Sequence, residues 1–160
     1  MRAAHGLLGR DMVLLGALPL VLVFASPEAL ATSARAHASR SVSLNERGSL
    51  HLTSKRGFTL NEQGSATGTI KGTIYIHLRL VSSKTVTAEV NIYPRGGSLT
   101  GNGTASYRVN GGTASFSGTL SVTRGSGSYA HARARGLRFT GTIQRGNDAV
   151  NVQLQGTLST

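Results

Sequence analysis

From Ile70 to Leu158 apolar and polar side chains alternate almost without a break, and this period of two limits the fold more than any other feature of the chain. Ile70, Gly72, Ile74, Ile76, Leu78 and Leu80 carry no polar group, whereas Lys71, Thr73, Tyr75, His77 and Arg79 between them do. Successive strand side chains point to opposite faces, so the run predicts a strand with one dry and one wet face. No stretch sustains a helical period, and Gly, Ser and Thr fill the positions that a surface helix would give to Ala, Glu and Lys.

Turn residues recur at hairpin spacing. Strands are expected over 66–81, 85–93, 98–109, 113–123, 136–144 and 149–159, with shorter ones over 49–53 and 57–60 around a turn at Ser54-Lys55-Arg56-Gly57. Asn110-Gly111 supplies two residues that tolerate positive φ, as a type I′ hairpin turn requires. Connections this short make antiparallel neighbours. Strands of about 12 residues run roughly 40 Å and have to coil. Gly72, Gly101, Gly103, Gly118, Gly141 and Gly156 fall in the inward register, where a missing side chain permits that bending. One apolar face, long coiled strands and hairpin connections predict an all-β fold. Its expected form is a closed antiparallel β-barrel of about eight strands, with a two-sheet β-sandwich as the alternative.

The first residues read differently. Arg2, His5 and Arg10 precede an apolar stretch from Met12 to Ala25 interrupted by Pro19, and small-residue sites follow at Ala29-Leu30-Ala31 and Ala36-His37-Ala38. This is the layout of a secretory signal peptide. An uncleaved anchor is the alternative, although the apolar stretch is shorter than the roughly 20 residues a spanning helix needs. The expected organisation is a signal and processing region over 1–38, cleaved after Ala31 or Ala38, then a flexible leader over 39–47 and a single domain over 48–160. The mature protein would be secreted, with no transmembrane span left after processing.

The 17 Lys and Arg face 6 Asp and Glu, and processing would remove Arg2, Arg10, Arg35, Asp11 and Glu28, leaving 14 against 4. Such a field attracts anionic partners: lipid headgroups, phosphate-bearing wall polymers or nucleic acid. It serves solubility equally well. With no Cys, neither disulfides nor thiolate chemistry is open to the chain, and its stability must come from the sheet and the core.

The inward set continues through Val86, Ala88, Val90, Ile92, Leu99, Ala105, Tyr107, Val109, Ala114, Phe116, Leu120, Val122, Leu137, Phe139, Ile143, Val150, Val152, Leu154 and Leu158. Apart from Tyr107 none of these ionises or donates a side-chain hydrogen bond, so the interior lacks the placed polar groups that acid–base and electrostatic catalysis need. Every acid and base is expected on the wet face. An eight-stranded barrel is either just filled by its own side chains or holds one small apolar ligand. In the second case Tyr107, Phe116, Phe139 and Ile76 are the interior residues expected to touch it.

Groups that carry chemistry are scattered. Glu46, Glu62, Glu89 and Asp148 fall in the leader, a loop, an outer strand face and a turn, which leaves no carboxylate pair. His51, His77 and His131 lack metal-ligand spacing, and a Ser-His-Asp triad would have to recruit Asp148 from a turn. No catalytic residue, metal site or cofactor is expected. On the outside, Arg79 beside Tyr75, His77 and Tyr93, and the alternating His131, Arg133 and Arg135, are the candidates for an anionic surface component. Nucleic acid is disfavoured, because single-strand binders stack bases on exposed aromatics, whereas the exported region has only four Tyr and three Phe, and Phe116, Phe139 and Tyr107 point inward.

The segment Thr123-Arg124-Gly125-Ser126-Gly127-Ser128-Tyr129-Ala130-His131-Ala132-Arg133 resembles the Gly-x-Gly-x-Tyr/Phe-x-x-Ala-Arg turn and strand of the allene oxide cyclase and dirigent barrel superfamily. Leu137 to Ile143 and Gly156-Thr157-Leu158 are similar to small secreted bacterial proteins with such a domain. Arg124 stands where that pattern often has Gly, and Ala134 where Gly closes it. The resemblance, over about Gly64 to Thr160, implies an eight-stranded barrel with an interior pocket for an apolar ligand. Members with an activity guide cyclisation or coupling of hydrophobic substrates, but no catalytic residue carries over to this apolar wall. Three functions are therefore expected in order: a non-catalytic barrel binding a small apolar ligand or an anionic surface component, a cyclase or isomerase working in the cavity, and a surface-structural or adhesive domain.

Overall fold

The structure is a computed structural model that describes residues 40–160. The expected signal peptide and both cleavage sites lie outside the described residues. Eight strands follow one another: β1 (Ser41–Arg56), β2 (Thr59–Gly68), β3 (Gly72–Leu80), β4 (Thr85–Pro94), β5 (Gly97–Asn110), β6 (Thr113–Gly127), β7 (Ala134–Gln144) and β8 (Ala149–Ser159). Each pairs antiparallel with the next, and β8 pairs with β1, so the meander closes into a barrel without edges. Closure satisfies every strand's backbone groups within one sheet, which an open sheet cannot do at its margins. The eight-stranded barrel is thus the architecture found, and the sandwich is not.

The first hairpin corrects the sequence reading. The leader expected up to Arg47 is strand from Ser41, paired with β8 from Ser41↔Ser159 to His51↔Ala149. Its alternation is hidden because Glu46 and Gly48 share the inward register with Leu44 and Leu50. The strand expected over 66–81 is broken at 69–71, where β2 turns into β3. The first turn is Gly57-Phe58, three residues beyond the start of the one expected at Ser54. At the β5–β6 hairpin Asn110 pairs with Thr113, so the turn residues are Gly111 and Gly112. Of the two only Gly111 has positive φ, at 57°, close to the 58° of Gly57 in the first turn, and glycine adopts both values without strain.

The barrel has two unlike ends. Hairpins β2–β3, β4–β5 and β6–β7 and both strand termini gather at one end. There Ile70 and Ala132 fold inward, 5 and 0% exposed, over Leu44, Ile92, Leu99, Leu154 and Leu158. The space left among these side chains is about 10 Å³, the lower limit for one water. This end is plugged. Hairpins β1–β2, β3–β4, β5–β6 and β7–β8 surround the other end, stitched by backbone bonds between tips: Leu80 N–H to Phe58 C=O at 2.9 Å, Tyr107 N–H to Lys84 C=O at 2.9 Å, Arg145 N–H to Gly112 C=O at 2.8 Å and Leu52 N–H to Asp148 C=O at 3.2 Å.

Candidate functional site

At the end opposite the plug the lumen opens into a cavity of about 430 Å³. Its wall is Leu52, Leu60, Leu78, Leu80, Val86, Tyr107, Val109, Ala114, Phe116 and Ile143, with Lys55, Arg145 and Asp148 at the rim. The volume lies within the range of small-molecule sites. Phe116 forms part of the wall, and its ring packs on Phe139 at 5.2 Å between centroids. A Cβ at Gly141 would run into that ring, so this glycine is what lets Phe116 lie across the lumen. Of the four interior candidates, Tyr107 and Phe116 line the cavity. Phe139 and Ile76, 1 and 0% exposed, belong instead to the filled part of the barrel.

The cation at the rim comes from a register fault. Leu52 pairs with Glu62 but Ser54 pairs with Asn61, so β1 carries one extra residue at Thr53. A bulge of this kind reverses which face the following residues use. Lys55 thereby pairs with Leu60 and turns to the cavity, while Thr53 Oγ1 donates to Asn61 C=O at 2.9 Å. Nothing in the sequence marks the bulge, which is why Lys55 was not among the expected site residues. Arg145 and Asp148 reach the rim from the β7–β8 turn, where Asp148 takes a φ of 53°.

Two acids overturn the expectation that every ionisable group is solvated. Glu62, placed by the sequence in a loop, is on β2 facing the lumen and is 2% exposed. Its strand partners are Leu52 and Ile76, and neither carboxyl oxygen has a hydrogen-bond partner. Burial pushes the carboxyl up to about 8, so it is protonated at neutral pH. It lies one inward position from Leu60, whose side chain lines the cavity. Glu46, placed in the leader, is 3% exposed at the plugged end. Its Oε1 accepts the Ile70 N–H at 2.6 Å and so fixes the residue that closes the lumen. Burial raises its pKa, while bonds from Ile70 and Thr69 oppose the shift. The signal for both was parity: Glu46 alternates in step with Leu44 and Leu50, and Glu62 with Leu60 and Ala66.

The outer candidates do not form one patch. Arg79 is on β3, paired with Thr59 and Thr87, in a shallow depression shared with His77, Glu89 and Asn102. His131, Arg133 and Arg135 lie by the plugged end, four strands away around the barrel. Of these three only Arg135 lies in β7, since 128–131 form a turn and Arg133 makes an isolated bridge with Ser159. All three are exposed while Ala132 and Ala134 between them are buried, but the Arg133 guanidinium donates to Ala132 C=O at 2.7 Å. Tyr75 and Tyr93 meet edge to face at 5.6 Å, and His77 Nδ1 contacts Asn61 Oδ1 at 2.5 Å. Among the described residues no three His, Asp or Glu side chains converge as metal ligands would.

No protein-family model, curated protein or solved structure matches this chain.

Proposed function

We propose that the chain is an exported, non-catalytic barrel that binds one small amphiphile, its apolar body in the open end of the lumen and an anionic head at Lys55 and Arg145. The observation that carries this reading is the 430 Å³ cavity itself, apolar in its wall and cationic at its rim, in a barrel whose other end is packed solid. A wall made of Leu, Val, Ile and aromatic side chains selects by shape and by burial of apolar surface, and two cations at the mouth orient the ligand. The resemblance to the allene oxide cyclase and dirigent barrels supports the same location for a ligand.

Anilinonaphthalene sulfonate, an apolar body with one anionic group, is a suitable probe. Its fluorescence should rise on titration with the native protein. Ala114→Trp, which fills the cavity from its wall, should weaken binding at least about tenfold, a loss of roughly 1.4 kcal/mol, with the circular dichroism of the barrel retained. Equal binding by native protein and Ala114→Trp would place the dye elsewhere and remove the proposal.

A second reading, a cyclase or isomerase acting on a hydrophobic substrate, is favoured by Glu62. A protonated carboxyl without a partner beneath an apolar cavity has the character of a general acid held ready at neutral pH. It stands second because Glu62 does not itself line the cavity, whose polar lining groups are Tyr107 in the wall and Lys55, Arg145 and Asp148 at the rim.

A further inference from the structure

Four large apolar side chains stand exposed among the described residues, and three of them crowd the open end: Phe58 at 73%, Val81 at 61% and Val109 at 52%. Phe58 is the tip of the β1–β2 turn, Val81 begins the β3–β4 turn and Val109 precedes the β5–β6 turn. The backbone bond from Leu80 to Phe58 holds the first two tips side by side. Around them stand the exposed cations Lys55, Arg56, Arg79, Lys84, Arg108 and Arg145, with Asp148 as the one acid of that rim. We infer that the open end is a docking face for an anionic lipid bilayer, with Phe58 and Val81 entering the interface and the surrounding cations meeting the headgroups.

Several observations choose this partner. A soluble anionic polymer would be held by the cations alone and leaves the protruding phenylalanine unexplained, whereas an interfacial site needs apolar tips and cations together. A second copy meeting this one mouth to mouth would set the same cationic rim against itself. Spanning is not at issue, because the barrel turns its apolar residues inward and its Ser, Thr and Asn outward, the reverse of a membrane barrel. Docking in this pose would set the cavity mouth against the lipid, but it does not depend on the cavity being filled.

Cosedimentation with vesicles of phosphatidylglycerol and phosphatidylcholine, against phosphatidylcholine alone, tests the inference. The protein should pellet with the anionic vesicles and much less at roughly fivefold higher salt. Phe58→Ser with Val81→Ser should lower partition at least tenfold, and Arg56→Gln with Lys84→Gln and Arg108→Gln should lower it by about fivefold per cation removed. Lys71→Gln with Arg135→Gln, at the plugged end, should change it least. The inference is overturned if the protein ignores anionic vesicles, if Phe58→Ser with Val81→Ser binds them like the native chain, or if those two substitutions instead abolish a dimer formed without lipid. The dye titration is read separately: vesicle binding without dye binding keeps the docking face and removes only the lumen ligand.

Discussion

Glu62 keeps a proton in the folded barrel, up to about pH 8, that an ordinary carboxyl with a pKa of 4.5 has long released in the unfolded chain. Between those values the folded state binds more protons, so stability falls as pH rises. The stability linked to this group is complete below pH 4.5 and is lost as pH climbs through about 8. The whole effect is roughly 3–5 kcal/mol. Glu62→Gln should remove most of that slope, and urea unfolding at pH 5, 7 and 9 measures it; an unchanged slope in the variant would mean that Glu62 is solvated. An acid kept in an apolar lumen at such cost is the residue that sequence reasoning was least able to see. Period-two patterns are recognised by their apolar members, and a polar residue at an inward position reads as the end of a strand.

Strands β3 to β8 were legible because almost every inward position is apolar and the β4–β5, β5–β6 and β7–β8 turns carry Gly. Strands β1 and β2 were not, because Glu46, Gly48, Glu62 and Gly64 occupy four inward positions of one hairpin. The bulge at Thr53 adds a second concealment by moving Lys55 to the inner face. Inward glycines have a different consequence at Gly141, where a Cβ would meet the Phe116 ring and the Asn151 backbone oxygen. Gly141→Ala should destabilise the barrel by about 1–3 kcal/mol, the usual cost of overpacking. In a Phe116→Ala background the penalty should be smaller, since one of the two obstacles is gone. Thermal unfolding of the double-mutant cycle gives the coupling, and strict additivity would show that the ring does not abut Gly141.

Taken as one molecule, the chain divides its lumen: a solid half sealed by Ile70 and Ala132, and a hollow half ringed by four hairpin tips. Alternation predicted that the barrel would be dry inside, and Tyr107 and Phe116 that an aromatic wall would be available. It could not show where side chains stop filling the space, because that depends on which strands face one another and on the bulge. The most direct measurement is a crystal structure of the protein grown with anilinonaphthalene sulfonate. The naphthalene ring should lie among Leu78, Tyr107, Phe116 and Ile143 with the sulfonate near Lys55 and Arg145, and the region around Leu44 and Leu158 should be fully packed. A lumen filled from end to end by its own side chains, with the dye bound only on the outer wall, would contradict it.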